Sequence, residues 1–165
     1  MTMFALLLSV GILGTSKGIN PCISASGSEW ERHNGHWYYY SNHTLNWIGA
    51  QMYCRRQGGN LVHIDDAEEN DWLSSKYTAE SIWIGVDNQA GDGVWRSITT
   101  GEKAPYINWS AGNPNNHASD QHCASLNWPE KGQWDDNQCW KEFTFICEVV
   151  GYGEDRQTCC NICTQ

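Results

Sequence analysis

The amino-acid sequence predicts an α+β fold, built from two helices and several short strands. Two segments combine helix caps with a helical spacing of apolar residues, and short apolar segments bounded by turn residues lie around them. A further observation concerns the compartment, since eight cysteines stand among 165 residues. Because disulfides persist in oxidising compartments, this content indicates a secreted protein, and the length is that of a single domain.

The amino terminus is predicted to be a signal peptide over residues 1–18. Residues 4–13 form an apolar run that is too short to span a bilayer, and small residues up to Gly18 offer cleavage patterns. The usual positive charge is missing from the start, because Lys17 follows the apolar run, and a retained anchor is the alternative. The chain has no second long apolar run, so we expect a soluble protein with no membrane insertion.

The chain is acidic, with a formal net charge of −9. Such a surface repels phosphate backbones, so we expect no nucleic acid among the partners. The acidity fits calcium binding, and it fits a role in solubility alone equally well.

The first helix carries the clearest boundary signals. Residues 19–36 are loop-like, and the aromatic residues 37–40 then favour a strand. Asn46 is placed as the N-cap of a helix whose apolar face reaches Cys54. The pair Gly58-Gly59 ends this helix, because glycine readily adopts the left-handed conformation after a last turn.

The middle of the chain contains a second helix and the most apolar strand. Residues 61–64 form a short extended piece, and Asp65 with Glu68 resembles a capping box that opens a helix towards Lys76. Residues 82–86 (Ile-Trp-Ile-Gly-Val) are the strongest strand candidate.

The last third of the chain has weaker signals. Residues 91–93 mark a turn, after which residues 94–95 resume an extended pattern. Residues 101–129 show no periodicity and are predicted to be a long loop, which inside a compact domain is normally functional. Residues 143–147 alternate as a final strand does.

The segment from Trp109 to Cys147 is rich in side-chain oxygens. A hard cation such as calcium takes roughly six to eight oxygen ligands, and carboxylates and carboxamides supply them. No catalytic nucleophile stands beside a base with supporting context, so we expect a binding protein rather than an enzyme. The oxygen-bearing residues include Asn113, Asn115, Asn116, Asp135 and Asp136.

The order and spacing of several short motifs resemble the C-type lectin-like domain. That family's fold implies two helices flanking two small antiparallel sheets, with a long loop that carries calcium. By this resemblance the domain spans residues 37–150, between an amino-terminal segment (19–36) and a cysteine-rich tail (151–165). The motifs are Cys54-x-x-x-Gly58-Gly59-x-Leu61, Trp83-Ile84-Gly85, Asn108-Trp109, Asn113-Pro114-Asn115, Trp134-Asp135-Asp136 and Phe145-Ile146-Cys147.

The resemblance also implies two disulfides, Cys54–Cys147 and Cys123–Cys139, which spacing alone does not select. Cys22 is left with three cysteines of the tail, Cys159, Cys160 and Cys163. Cys22 could bond to the tail of its own chain, or these cysteines could form intermolecular bonds in a homo-oligomer. Structural disulfides account for the Cys-x-x-Cys pair of the tail better than a metal or redox motif does.

The calcium ligands follow from the resemblance, residue by residue. A cis bond at Pro114 would set two side-chain oxygens on either side of it, and neighbouring hydroxyls of a sugar would complete the coordination. Calcium would then bridge protein and saccharide. The implied ligands are Asn113, Asn115, Gln121, Asp135 and Asp136.

Three departures from the family pattern affect this site. Asn-Pro-Asn replaces both the mannose-type Glu-Pro-Asn and the galactose-type Gln-Pro-Asp, and Trp134-Asp135-Asp136 replaces Trp-Asn-Asp. Gln121 replaces an acid, for which the adjacent Asp120 could substitute. The set holds two carboxylates, or three with Asp120, so we expect weak calcium binding, with a vestigial site as the alternative. Trp128 could stack on galactose or anchor the loop, and we slightly favour galactose-type ligands.

Other residues receive structural expectations. An auxiliary calcium site at Asn88, Asp92, Asn116 and His122 holds one acid, so we expect it to be weak or absent. Trp83, Trp95, Trp109 and Trp134 are predicted to lie in the core. Of the two glycosylation sequons, we expect Asn42 to be occupied and Asn108 not. Residues 33–36 (His-Asn-Gly-His) are predicted to be a solvated loop rather than a zinc pair.

The predicted function is a secreted, calcium-dependent lectin that recognises cell-surface or microbial glycans, as in innate immunity. The alternative is a related domain with a degenerate sugar site that binds ice, mineral or a protein partner.

Overall fold

The structure is a computed structural model and describes residues 30–151. The predicted signal peptide, Cys22 and the tail cysteines lie outside the described residues, so the expectations about them stay predictions. Among residues 30–151, neither helix has the length and apolar character needed to cross a membrane.

Two antiparallel sheets and two helices make up the described domain, as predicted. The first sheet has the strand order β1-β2-β8-β3, and the second has the order β5-β4-β6-β7. Both disulfides implied by the resemblance are present, with Cys54 bonded to Cys147 and Cys123 bonded to Cys139. The elements are β1 (Trp30–His33), β2 (His36–Tyr40), α1 (Trp47–Arg56), β3 (Asn60–Leu61), α2 (Ala67–Lys76), β4 (Ile82–Asp87), β5 (Arg96–Ser97), β6 (Cys123–Leu126), β7 (Trp134–Asn137) and β8 (Ile146–Val150).

Helix α1 begins and ends where the sequence predicts. The Asn46 side chain accepts a hydrogen bond from the Gly49 N–H at 2.8 Å, which satisfies one of the free donors of the first turn. Gly58 follows the helix with a φ of +83°. Gly59 lies against β8, where a Cβ atom would come within 2.1 Å of the Glu148 carbonyl oxygen. Glycine therefore lets the helix end pass directly over the first sheet.

The predicted capping box of α2 is wrong by one residue. Asp66, not Asp65, is the N-cap, and its side chain accepts from the Glu69 N–H at 2.9 Å. Glu69, not Glu68, reaches back to accept from the Asp65 N–H at 2.8 Å. With the helix beginning one residue later, the Glu69 side chain is buried and the Glu68 side chain is exposed.

Several strand predictions also need correction. Residues 19–36 are not all loop, because β1 pairs with β2 in a hairpin. The predicted loop 101–129 contains β6, a central strand of the second sheet, and β7 follows it. The final strand β8 starts at Ile146 rather than Phe143. Residues 94–95, predicted to be extended, are not part of a strand, and β5 begins directly after them at Arg96.

The histidines of residues 33–36 are not in a solvated loop. Asn34 and Gly35 form the tight turn of the β1–β2 hairpin with φ values of +44° and +85°. The His33 ring stacks on Trp72 with the ring centroids 4.1 Å apart. His36 Nδ1 is hydrogen-bonded to a carboxylate oxygen of the buried Glu148.

The core predictions for tryptophan are confirmed for Trp83, Trp95 and Trp134, whereas Trp109 is half-buried against the core. Trp83 and Trp134 are fully buried, Trp95 is 7% exposed, and Trp109 packs edge-on against both Trp95 and Trp134. The two sequons differ in environment. Asn42 is exposed, whereas the Asn108 amide donates to the Gly132 carbonyl oxygen at 2.8 Å.

Candidate functional site

The candidate site forms where the long loop meets β7. Strand β7 is the last strand of its sheet and pairs along its length with β6, so that Asp135 lies opposite Ser125 and Asp136 opposite Ala124. The Cys123–Cys139 disulfide closes the open end of this hairpin, opposite the turn that joins β6 to β7. The two aspartates are therefore on a fixed strand, and the loop supplies the remaining groups.

Asp136 is fully buried and holds the loop through both carboxylate oxygens. Its Oδ1 accepts from the Asn115 N–H at 2.9 Å, and its Oδ2 accepts from the Asn116 N–H at 2.6 Å. Asn116 adopts a left-handed conformation with φ +46°. Asparagine tolerates this conformation better than most residues, which lets two successive amides point at one carboxylate.

Asn113 connects the loop to the other aspartate. Its Nδ2 donates to Asp135 Oδ1 at 2.5 Å and to Ser110 Oγ at 2.8 Å. Its Oδ1 accepts from Asn115 Nδ2, and the Asn113–Pro114 peptide bond is cis. Side chains 20 or more residues apart in the chain thus form one hydrogen-bonded cluster.

The electrostatics of this cluster favour a cation. Burial raises the pKa of the Asp135 carboxyl, and the neighbouring charge of Asp136 raises it further, while hydrogen bonds from Asn137 and Asn113 oppose the shift. Two carboxylates at adjacent positions repel each other where solvent screening is reduced. A bound cation held by these carboxylates would reduce this repulsion.

Gln121 and Asp120 have roles that differ from those of the other implied ligands. The buried Gln121 bonds the loop to the strand, because its Nε2 donates to the Asp136 carbonyl oxygen at 2.6 Å and its Oε1 accepts from the His117 N–H at 2.5 Å. Asp120 is exposed, and its Oδ2 accepts from Trp140 Nε1 at 3.2 Å. Neither side chain is bonded to Asn113 or Asp135 in this arrangement.

The two exposed tryptophans of the region lie at opposite ends of the β6–β7 hairpin. Trp128, which the sequence suggested as a sugar-stacking residue, is 43% exposed in the turn between the strands, away from Asp136. Trp140 is 66% exposed and adjoins Cys139 at the loop end. Sequence reasoning missed Trp140, although a tryptophan directly after a bridging cysteine was visible.

A cleft of about 280 Å³ lies beside the cluster, and it is lined by three of the four residues of the auxiliary calcium site that we expected to be weak or absent. Asn88 Oδ1 and His122 Nδ1 are buried there and have no hydrogen-bond partner within residues 30–151. Asp92 is held instead by Arg96, with an Oδ2–Nη2 distance of 2.7 Å, which lowers the pKa of Asp92 to about 2. The cleft is lined by Asn88, Gly91, Gly93, Trp95, Pro114, Asn116, Gln121, His122 and Asp136.

The residues at the cluster fit a weak calcium site. Hydrogen bonds join Asn113 to Asp135 and Asn115 to both Asn113 and Asp136, and these side chains are the carboxylates and carboxamides that calcium prefers. Each of these oxygens already accepts a hydrogen bond, but a carboxylate or carbonyl oxygen has a second lone pair with which to coordinate an ion. The low carboxylate count limits the affinity.

Comparisons with known proteins identify the family. The sequence model described as "Lectin C-type domain" matches residues 43–149. "C-type lectin 37Db" of Drosophila melanogaster is 36% identical over 115 residues, covering 68% of this chain and 76% of the relative.

Solved structures agree with this match. The mouse scavenger receptor C-type lectin carbohydrate-recognition domain has a TM-score of 0.70 and 30% identity, over 77% of this chain and 98% of that one. A calcium-independent type II antifreeze protein has a TM-score of 0.68 and 26% identity, over 76% and 95% of the two chains.

This chain therefore belongs to the C-type lectin family and has its fold. The members of this family are in general carbohydrate-binding lectins, typically calcium-dependent, and are binding proteins rather than enzymes.

Proposed function

We propose that this protein is a secreted lectin that binds carbohydrate through a calcium ion held by Asn113, Asn115, Asp135 and Asp136. The observation that carries the proposal is the direct hydrogen bonding of the loop residues to the two strand aspartates. Two distant segments of the chain converge there on one point, and their oxygens suit calcium. The expected ligand is a glycan on a cell or microbial surface, in a recognition role such as innate immunity.

Gln121 has a supporting role in this proposal. Its amide already bonds the loop backbone to β7, so we expect it to position the other ligands, and to coordinate the ion only if the loop rearranges. The bond from Trp140 uses only Oδ2 of Asp120, so Asp120 could still supply a third carboxylate if the loop brought it to the other ligands. Two carboxylates place the expected calcium affinity in the range of extracellular modules, with a Kd of roughly 0.1–1 mM.

Galactose-type ligands remain our slight preference over mannose-type ligands. An aromatic ring can pack on the apolar face of galactose, and the site needs an exposed ring at the loop end. Trp140 supports this preference through its exposure and its bond to Asp120, whereas Trp128 lies at the far end of the hairpin.

The proposal is tested by affinity chromatography of the secreted chain on galactose and mannose matrices. We expect retention on the galactose matrix in millimolar calcium and elution by EDTA. A D136N variant should not be retained, and an E130Q variant, changed at an exposed carboxylate in the turn between β6 and β7, should be retained. A wild-type protein that passes through both matrices, and whose melting temperature calcium leaves unchanged, refutes the proposal.

A second function, calcium-independent binding of ice, mineral or a protein, is favoured by one observation. The oxygens of the loop cluster all accept hydrogen bonds from the protein itself, so the loop has a defined conformation without an ion. The similarity to a calcium-independent antifreeze protein is compatible with this reading. Thermal hysteresis measured in EDTA tests the ice-binding form of this function, since neither a sugar-binding lectin nor a mineral- or protein-binding domain should show any.

The pairing of Cys22 with the tail cysteines determines whether the protein is a disulfide-linked homo-oligomer. Electrophoresis without and with reducing agent distinguishes a bond from Cys22 to its own tail from a disulfide-linked homo-oligomer, because only the oligomer changes mass on reduction.

A further inference from the structure

The three most exposed large apolar side chains in the part of the chain that the structure describes lie around helix α1. They are Trp140 at 66%, Met52 at 52% and Ile48 at 49% exposure. Single exposed apolar residues are common on protein surfaces, whereas a group of them indicates an interaction site. Ile48 and Met52 have no part in the proposed sugar site, so their exposure needs an explanation of its own.

The outer face of α1 carries these side chains in one line. The opposite face, which includes Trp47 and Cys54, is buried in the core. Residues four apart lie on the same side of a helix, so Ile48, Met52 and Arg56 follow one another along the outer face. All three are exposed.

A neighbouring turn extends this line at the start of the helix. The Trp47 N–H donates to the Cys139 carbonyl oxygen at 3.0 Å, so residues 140–142 are held beside the first turn of α1. They add the exposed Trp140 ring and the exposed carboxylate of Glu142. We call these five side chains the α1 surface, which consists of Ile48, Met52, Arg56, Trp140 and Glu142.

Opposite charges lie at the two ends of the α1 surface. Glu142 is beside the start of the helix, whereas Arg55 and Arg56 are in its last turn. These two arginines are the only adjacent basic residues in a sequence with 10 basic and 19 acidic residues. Methionine, tryptophan and arginine are enriched at protein interfaces, and the charges across an interface fix which partner binds and in which orientation.

We propose that the α1 surface binds the same surface of a second copy of this chain, with the two helices antiparallel about a twofold axis. In a twofold contact each pair of residues occurs twice, once in each direction. The start of one helix then faces the end of the other, so Glu142 lies against Arg56 of the partner subunit. Met52 lies near the axis with Ile48 beside it, and Trp140 is at the edge next to the long loop.

The order of the charges selects a second copy as the occupant. A surface with only basic residues would fit any acidic partner, but this surface carries an acid at one end, a base at the other and apolar side chains between. An antiparallel copy complements that order. The contact is small, since a helix of this length spans about 15 Å, and the net charge of −9 opposes association. We therefore expect a weak dimer, with a Kd of roughly micromolar or above.

Such a dimer would present two long loops to a glycan-covered surface. Two linked sites bind a surface more tightly than one, by roughly 10²–10⁴-fold where both sites reach their ligands. This consequence rests on the proposed lectin function, whereas the contact between the two α1 surfaces does not depend on it.

The test is the molar mass of the full chain in EDTA, measured by analytical ultracentrifugation at concentrations below and above the expected Kd. We expect the mass to rise from one chain to two and to stop there, because a twofold contact closes. Serine replaces the cysteines outside the described residues, so that only non-covalent association is measured. These cysteines are Cys22, Cys159, Cys160 and Cys163.

Substitution of Met52 locates the contact. The M52E variant should weaken the dimer at least about tenfold, because the two new carboxylates would meet near the axis and repel each other. The V150E variant is the matched control, since Val150 is an exposed apolar residue at the end of β8, and it should dimerise as the parent chain does. D136N should also dimerise normally, which separates this proposal from the lectin function.

Charge reversal identifies the partner. R56E and E142K should each weaken the dimer about tenfold, and the R56E/E142K double variant should restore it, because both ion pairs reappear with their signs exchanged. Melting temperatures verify that each variant is folded. A parent chain that stays single at every concentration, association beyond two chains, an M52E variant that dimerises normally, or a double variant that stays as weak as the single ones would overturn the proposal.

Discussion

Both carboxylate oxygens of Asp136 accept hydrogen bonds from the long loop, and Asp136 is also a proposed calcium ligand. Its substitution therefore tests the loop structure in EDTA and ion binding in calcium. Replacing it with asparagine keeps its volume but removes one acceptor and the charge. We expect D136N to lose calcium-dependent stabilisation, and to be less stable without calcium by about 1 kcal/mol, because a partly buried backbone N–H of Asn115 or Asn116 loses its acceptor.

The measurement for D136N is thermal unfolding with EDTA and with calcium. E130Q is the control, since Glu130 is an exposed carboxylate in the turn between β6 and β7, at the opposite end of the hairpin from the loop cluster. It should unfold like wild type in EDTA and keep its response to calcium. A D136N protein that calcium stabilises as much as wild type would exclude Asp136 as a ligand.

The ligand residues could be proposed from the sequence because their motifs are local. Asn113-Pro114-Asn115 and Trp134-Asp135-Asp136 are each contiguous. The role of Gln121 could not be foreseen, because its partners, the His117 N–H and the Asp136 carbonyl oxygen, are backbone groups whose positions depend on the folded loop. The bond from Trp140 to Asp120 could not be foreseen either, because it joins two side chains that lie 20 residues apart in the chain.

At the scale of elements, the contact between the end of α1 and β8 depends on Gly59. A Cβ atom there would lie 2.1 Å from the Glu148 carbonyl oxygen and 2.6 Å from Val149 Cγ2. Backbone must move to accommodate it, so we expect G59A to lose about 2–4 kcal/mol of unfolding free energy, at or above the usual range for overpacking. Urea unfolding measures this loss.

Gly91 is the matched control for Gly59. A Cβ atom at Gly91 meets nothing within 4 Å, although φ is +68°. G91A should therefore show only the conformational cost of a left-handed alanine, about 1 kcal/mol. Equal losses in the two variants would mean that α1 can shift away from β8.

The junction of α2 with the first sheet gives a prediction about pH. Burial raises the pKa of Glu148 from 4.5 to about 7, with hydrogen bonds from His63 and His36 opposing the shift. The folded protein thus retains a proton that the unfolded chain releases near pH 4.5, so ionisation favours unfolding. As pH rises from about 4.5 to about 7, this group should lower the unfolding free energy by about 1–3 kcal/mol, since one pKa unit corresponds to about 1.4 kcal/mol.

The pH prediction is measured as unfolding free energy against pH in a metal-free buffer. E148Q should flatten the profile over that interval, because glutamine does not titrate. The E68Q variant is the control, since Glu68 is an exposed carboxylate of the same helix, and it should leave the slope unchanged. An E148Q profile with the same slope as wild type over this interval would contradict the assignment.

The elements differ in how well the sequence predicts them. Helix α1 has local signals, namely the Asn46 cap and the glycines at its end. Strand β6 has none, because all four of its residues are buried and the period-two alternation of a half-exposed strand is lost. Strand β1 was missed because its polar Glu31 and Arg32 concealed the pairing with β2. Such pairings depend on contacts distant in sequence.

At the scale of the whole molecule, the two disulfides serve different parts of the protein. Cys54–Cys147 closes a separation of 93 residues and joins α1 to β8 in the core, with both cysteines fully buried. Cys123–Cys139 closes a separation of 16 residues at the end of the β6–β7 hairpin next to the loop cluster. Loop-closure entropy assigns about 4.7 kcal/mol to a bond of the first kind and about 3 kcal/mol to one of the second.

Removing each disulfide should therefore separate global stability from calcium binding. We expect C54A/C147A to lose more unfolding free energy than C123A/C139A, yet to keep its calcium response at temperatures where it is folded. C123A/C139A should remain folded but bind calcium more weakly, because β6 and the segment after β7 are no longer clamped. With a wild-type Kd of roughly 0.1–1 mM, 5 mM calcium stabilises by about 1–2 kcal/mol. Melting curves with calcium and with EDTA would show this increment retained in the first variant and reduced in the second; the reverse pattern would place the ion outside the loop.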